Sequence, residues 1–445
     1  MLITRWKPLH QHPSLYLAIG FLVIILLGTA LLASPFSTRS GQMPSIVDAF
    51  FTATSATCVT GLVVFPTAGY WSIFGQVVIL CLIQIGGLGF MAMTVLIAML
   101  LHRKITLSDR LIIKEQFGQR SLTGMVRWML YIIGVTFLIE AAGAVLLSTQ
   151  LIPRYGWGQG IWFSVFHAVS AFCNAGFDLF GTSSLQPFEN NHVMLLTVSF
   201  LIVSGGLGFG VYLDVFNRKT RRVSLHTKLV LAVSGLLLLS GALLFYFIEN
   251  GNPETLGHLS QGSRWLGAFF QSVTTRTAGF FSFSQSGMYE ISAVLSILLM
   301  FVGGSPAGTA GGIKTTTVAV LFLSMRAQFR GDEQITVFGR GIAADVVMRA
   351  LTIIMLGLLW VTGVSFVIAA GENISYVPAL FETVSAFGTV GLTMDLTPEL
   401  GTCSKILLAF TMYAGRVGPV TLALALVKKK NPGAHAHAEG NVMVG

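Results

Sequence analysis

Phe381-Glu382-Thr383-Val384-Ser385-Ala386-Phe387-Gly388-Thr389-Val390-Gly391 decides how this chain is read, because the sequence contains it, degenerately, four times. The other copies are Phe51-Thr52-Ala53-Thr54-Ser55-Ala56-Thr57-Cys58-Val59-Thr60-Gly61, Phe166-His167-Ala168-Val169-Ser170-Ala171-Phe172-Cys173-Asn174-Ala175-Gly176 and Phe269-Phe270-Gln271-Ser272-Val273-Thr274-Thr275-Arg276-Thr277-Ala278-Gly279. In each, an aromatic is followed ten positions later by glycine, with small and hydroxylated residues between. Each copy reads as a short helix that stops in a glycine-ended turn, where unusual torsions let backbone carbonyls be aimed together. Four such turns around one axis would form a ring of oxygens able to replace a cation's hydration shell. The bland alternative is four re-entrant hairpins that only pack a bundle. The same apolar segments flank every copy, which favours a repeated pore unit.

Composition points the same way. The chain has 445 residues, 53% of them hydrophobic and 10% charged, with a mean hydropathy of +0.76. Those values lie outside the range of soluble globular domains and predict an integral membrane protein. Apolar runs such as 16–33 and 351–370 approach the length needed to cross the hydrocarbon core as helices. The first run follows Arg5 and Lys7 without a small-residue cleavage site, so it is expected to be a retained span.

A net charge of +9 would suggest nucleic acid in a soluble protein, but its distribution excludes that. Basic residues gather at 103–127, 218–228, 326–349 and 428–430, which the positive-inside rule places in the cytoplasm. The intervening connections carry Asp48, Asp178, Glu189, Glu249, Glu254, Glu290, Glu372, Asp395 and Glu399, and would concentrate cations at the outer entrances. Four cysteines, Cys58, Cys81, Cys173 and Cys403, show no paired spacing and suggest neither a disulfide framework nor a metal site.

The predicted class is therefore an all-α integral membrane protein of four tandem units, each a span, a short pore helix with its turn, and a second span. The units are expected at 1–105, 106–222, 223–338 and 339–430, with spans near 14–34 and 72–101, 125–149 and 191–216, 227–248 and 288–325, and 346–370 and 403–427. Both termini would be cytoplasmic, and 431–445 would be a short tail whose His435 and His437 lack further ligands. The second spans share glycine clusters at similar distances past the repeat glycine: Gly86-Gly87-Leu88-Gly89, Gly205-Gly206-Leu207-Gly208, Gly303-Gly304 and Gly415. Glycines at one depth let helices approach closely or bend.

The third cluster continues as Gly303-Gly304-Ser305-Pro306-Ala307-Gly308-Thr309-Ala310-Gly311-Gly312-Ile313-Lys314-Thr315-Thr316-Thr317, which cannot form an unbroken helix. Irregular backbone at membrane depth is tolerated only inside protein or beside a water-filled cavity, so the segment reads as a mobile loop across the pore. A phosphate-binding loop fails on spacing, since counting from Gly308 the required second glycine falls at Ile313. Arg416 stands in an otherwise apolar span and is a functional candidate by its cost alone. Placed at loop depth, it could face the path and bind loop carbonyls. A structural arginine paired with a carboxylate is the alternative. Arg276 occupies the position of Cys58, Cys173 and Gly388, and is expected to point behind the ring and pin the turn through Glu382 or backbone carbonyls. His167 reads as a packed core histidine.

Together, four pore-loop units, a broken span in the third and an arginine in the last resemble the Ktr/Trk/HKT superfamily of potassium transporters over nearly the whole chain. The telling pieces are Thr275-Arg276-Thr277-Ala278-Gly279-Phe280, Ala307-Gly308-Thr309 with Gly311-Gly312-Ile313-Lys314-Thr315, and Gly415-Arg416. The length looks most like the membrane subunit of a bacterial Ktr system. The resemblance implies a potassium-channel-like fold whose filter is lined here by Val59-Thr60-Gly61, Asn174-Ala175-Gly176, Thr277-Ala278-Gly279 and Thr389-Val390-Gly391. It also implies a gate made of the 303–317 loop and Arg416. Further implied are a homodimer with one pore per protomer in a bacterial plasma membrane, a cytosolic ring of KtrA-like RCK regulatory subunits that bind ATP or ADP, and sodium dependence. Potassium would be substrate and sodium an activator, with no covalent cofactor. No copy has a full Thr-Val-Gly-Tyr-Gly run, so discrimination against sodium could be weaker than in potassium channels. A membrane enzyme would need convergent acids or metal ligands at one depth, and the spans show none in a recognisable spacing. A secondary transporter of sodium or protons with inverted repeats would show halves of opposite direction, whereas all four units share one.

Overall fold

The computed structural model describes residues 13–89, 125–216, 223–332 and 334–418. The basic segments at 103–120, 218–222 and 428–430, the far ends of the spans expected over 72–101 and 403–427, and the 431–445 tail lie outside the described residues.

The repeat copies fold as buried short helices: Ile46–Cys58, the end of Met125–Phe172, Gln261–Thr274 and Tyr376–Gly388. Preceding them are the long apolar helices Pro13–Leu32, the first part of Met125–Phe172, Leu225–Glu249 and Ala344–Glu372. In the second unit no loop separates span from pore helix. The helix runs on past 149, through Pro153, and turns at Gly156 alone, whose φ of 79° a side chain would resist. Among the described residues, four helices are long and apolar enough to cross a membrane, and a fifth if His192–Gly206 and Phe209–Val215, bent by 91°, count as one. The regular structure described is helical apart from one antiparallel pair, Thr336–Val337 with Arg340–Gly341.

The helices after each turn are Ile73–Leu88, His192–Gly206, Glu290–Phe301 and Thr402–Val417. At 16, 15, 12 and 16 residues they are too short to span the core, since each residue rises only about 1.5 Å against a thickness of about 30 Å. The expected continuous second span over 191–216 is therefore corrected, because Gly208 (φ 87°) breaks it. Gly89 (φ 86°) and Gly418 (φ 95°) end the first and fourth second helices in the same way. The glycine clusters also permit contact. A Cβ on Gly86, Gly205 or Gly415 would collide with Thr57 O, Phe172 O or Phe387 O, the carbonyls at the pore-helix ends.

The units are arranged in a closed cycle. Pore helix Gln261–Thr274 packs on His192–Gly206 of the preceding unit, Tyr376–Gly388 on Glu290–Phe301, and Ile46–Cys58 on Thr402–Val417, while Met125–Phe172 packs on Ile73–Leu88. Polar ties cross the seams: Trp162 Nε1 donates to Gln76 Oε1 at 2.9 Å, Ser286 Oγ to Asp395 Oδ2 at 2.7 Å, and Lys405 Nζ to Asp48 Oδ1 at 3.1 Å. Thus the fourth unit closes on the first. Phe51, Phe166, Phe270 and Phe381 are fully buried between the units. In the third copy the buried ring is Phe270 and not the Phe269 expected from the spacing.

Candidate functional site: four glycine turns above an intramembrane loop

At each turn the residue two before the glycine is left-handed without being glycine: Val59 (φ 60°), Asn174 (φ 59°), Thr277 (φ 69°) and Thr389 (φ 51°). Gly61, Gly176, Gly279 and Gly391 follow with φ of 97°, 70°, 83° and 92°. Such torsions cost a β-branched residue about 1–2 kcal/mol each, and their recurrence at one register marks a geometry imposed by the surroundings. Pore-helix carbonyls hold it. Thr60 N, Ala175 N and Val390 N donate to the O atoms of Ser55, Ser170 and Ser385, each at 2.8 Å, and Ala278 N donates to Thr274 O at 3.0 Å.

The side-chain hydroxyls of the same four residues brace the turns in two ways. Ser55 Oγ and Ser385 Oγ accept from the amides of Gly61 and Gly391 at 3.1 Å. Ser170 Oγ donates to Phe177 O at 2.7 Å, and Thr274 Oγ1 to Phe280 O at 2.5 Å. Sequence reasoning did not single these residues out. The signal was present: serine stands six before the glycine in three copies, and in the third its place is taken by Val273, with Thr274 shifted by one.

The four glycines meet. A Cβ on Gly61 would lie 2.5 Å from Ala175 O and 3.0 Å from Gly176 Cα; on Gly176, 2.8 Å from Ala278 O; on Gly279, 2.6 Å from Val390 O; and on Gly391 it would strike Thr60 O. Each glycine thus abuts the carbonyl before the next glycine, and the fourth returns to the first. Thr60, Ala175, Ala278 and Val390 are fully buried, and the hydroxyls of Thr57, Thr60, Thr277 and Thr389 have no hydrogen-bond partner among the described residues. A dehydrated cation could use such oxygens. Four pore-helix C-termini converge here, each carrying roughly half a negative charge.

The Gly-rich segment passes under this ring. Thr309 Oγ1 lies 3.2 Å from Phe172 O and 3.1 Å from the Asn174 side-chain amide, and Thr309 N donates to Gly205 O at 3.2 Å, all in the second unit. A Cβ on Gly311 would strike Thr389 Oγ1 in the fourth. Arg416, also in the fourth, donates through Nη1 to Thr309 O and through Nη2 to Gly86 O, with Gly87 O at 3.5 Å, in the first. The segment of the third unit thus touches the second and the fourth, and Arg416 joins it to the first. Ala307 (φ 58°) and Gly312 (φ 66°) supply its bends, Phe209 N donates to Ala307 O at 2.9 Å, and Lys314 Nζ folds back to Ala310 O at 2.7 Å.

Three residues expected in the loop are placed elsewhere. Thr315, Thr316 and Thr317 open the helix Thr315–Arg330, with Lys314 at its N-cap, so the irregular stretch is 302–314. Arg416 makes no ion pair among the described residues, and the carboxylate-paired alternative is not what the structure shows. Arg276 points behind the ring, donating to Ser234 O at 3.1 Å and Gly303 O at 3.4 Å. Glu382 is not its partner, being taken by Thr393, Met394 N and Thr397. His167 is buried, stacked on Phe180 at 4.1 Å, with Nδ1 on Phe163 O and Nε2 accepting from Leu179 N.

Four pore-helix turns closed into one ring by a single chain, over a loop inside the membrane, define a channel-like cation-transport protein. The chain belongs to the TrkH cation transport protein family, whose model matches residues 6–437. It is 42% identical to the potassium/sodium uptake protein NtpJ of Enterococcus hirae, covering 97% of both chains. It is 41% identical to the Ktr system potassium uptake protein B of Bacillus subtilis, over 100% of this chain and 98% of that one. The crystal structure of the potassium transporter TrkH from Vibrio parahaemolyticus has the same fold, with a TM-score of 0.70 at 19% identity over 92% of this chain and 85% of that one.

Proposed function

We propose that this protein is the membrane subunit of a bacterial Ktr-type system and carries potassium into the cell, down its electrochemical gradient, through the ring of turns at Gly61, Gly176, Gly279 and Gly391. The observation that carries this reading is the closure of that ring, each glycine against the carbonyl preceding the next. The similarity to proteins named for potassium uptake supports it. Carbonyls of Thr60, Ala175, Ala278 and Val390 replace hydration water, and the negative helix ends below hold the ion's charge. The stretch Gly303 to Lys314 and Arg416 form the gate: the guanidinium fixes Thr309 O and Gly86 O across the axis and puts positive charge in the path.

The protein works as a homodimer in the plasma membrane, each protomer with its own pore, with both termini cytoplasmic. A cytosolic ring of KtrA-like RCK subunits that bind ATP or ADP sets the gate, and sodium acts as activator. Potassium and sodium uptake in a transport-deficient cell, with and without such a subunit, tests the whole reading; absence of potassium uptake in both defeats it. At the filter, Gly391→Ser forces a side chain onto Thr60 O at φ 92°. A strain of about 1–2 kcal/mol raises the half-saturating potassium concentration roughly five- to thirtyfold. Affinity falls by more than expression does.

A further inference from the structure

Glu140 has no role in the filter or the gate as described so far, yet it is a carboxylate in the middle of a membrane helix and only 4% exposed. An ionisable side chain at that depth is retained for a reason, and its partners name the reason. Gln84 Nε2 donates to Glu140 Oε1 at 3.1 Å and lies 3.4 Å from Oε2, and Cys173 Sγ lies 3.8 Å from Oε1. Gln84 stands two and three residues before Gly86 and Gly87, whose carbonyls receive Arg416. Cys173 packs directly on that receptor, since a Cβ on Gly87 would lie 2.5 Å from Cys173 Sγ, which also lies 3.9 Å from Gln84 Oε1. The helix Ile73–Leu88 ends immediately after these glycines, at Gly89, so its last turn has few bonds of its own to fix it.

We propose that Glu140 is a positioning residue of the gate: with Gln84 and Cys173 it clamps the end of Ile73–Leu88 so that the Gly86 and Gly87 carbonyls stand where Arg416 can bind them. The carboxylate never touches the conducted ion. It acts through the seam between the first and second units, one layer outside the path, and stabilises the closed arrangement. This rests on Arg416 being the gate.

The test is potassium flux into liposomes carrying the full chain without a regulatory subunit. Glu140→Ala and Gln84→Ala each remove about one buried hydrogen bond from the clamp, and each raises basal flux by about three- to tenfold. The exchanged pair Gln84→Glu with Glu140→Gln keeps one carboxylate and one amide at the seam and returns flux to near wild type, which also answers whether a single variant merely misfolds. In an Arg416→Gln background, Glu140→Ala adds nothing. Flux unchanged by Glu140→Ala while Arg416→Gln raises it overturns the clamp alone. Equal increases with and without Arg416 also overturn it. Arg416→Gln leaving flux unchanged overturns the gate reading and the clamp with it.

Discussion

Arg276 shows how one residue can break a repeat and still serve it. Where the other copies place Cys58, Cys173 and Gly388, a guanidinium would repel the ion if it entered the ring; it turns outward and joins Ser234 O to Gly303 O instead. It therefore ties the third turn to the residue at which the loop begins. Replacing it leaves the Gly303 carbonyl, outside any helix, without this donor, at about 1–3 kcal/mol. Arg276→Glu adds repulsion between its carboxylate and those oxygens. The expected result is loss of folded protein or of potassium-over-sodium selectivity, measured by detergent size-exclusion yield and by ion-competition uptake. Wild-type yield and selectivity together contradict the role.

Among the elements, the loop is the one whose removal has a clear sign. Its hydrogen bonds run to the second unit through Gly205 O and to the fourth through Arg416, so the stretch is held from outside itself. Deleting part of Gly308 to Gly312 removes the segment between those anchors and raises flux through the isolated subunit. Unchanged flux in liposomes counts against its assignment as gate. The existence of this break was legible because Pro306 and five nearby glycines cannot continue a helix. Its end was not: Thr315, Thr316 and Thr317 are poor helix formers by propensity, and the helix starts there because Thr315 N is anchored on Gly304 O at 3.1 Å. The cluster 205–208 left close packing and bending both open, and the break at Gly208 was not decided by it. There Phe209 N meets Ala307 O, about a hundred residues away, a contact that the local glycines permit but do not specify.

For the whole molecule, the four units, the turns and three of the four buried aromatics were readable from a spacing of ten, because each unit must bury the same face to close the same ring; in the third the buried ring is Phe270, one residue on. What the pattern could not supply was how neighbouring units are fastened, since each seam uses its own side chains. Lys405 and Asp48 illustrate this: they join the fourth unit to the first, 13% and 15% exposed, with no counterpart in the repeat. A pair between the surface and buried limits contributes about 1–3 kcal/mol. Lys405→Met and Asp48→Asn are each expected to lower the thermal midpoint of the detergent-solubilised protein, and the double variant to lower it by less than their sum. Strict additivity would show that the pair does not hold the seam.

Because one polypeptide lays down all the corners, no symmetry operator copies a change around the axis. In a channel of four identical chains every codon is read out fourfold; here each corner can drift alone. The two styles of hydroxyl bracing, serine to amide at Gly61 and Gly391 and hydroxyl to carbonyl beyond Gly176 and Gly279, are what such freedom leaves behind. Two adjacent corners of the ring are therefore braced in one style and the other two in another, and a substitution at any corner alters a quarter of it.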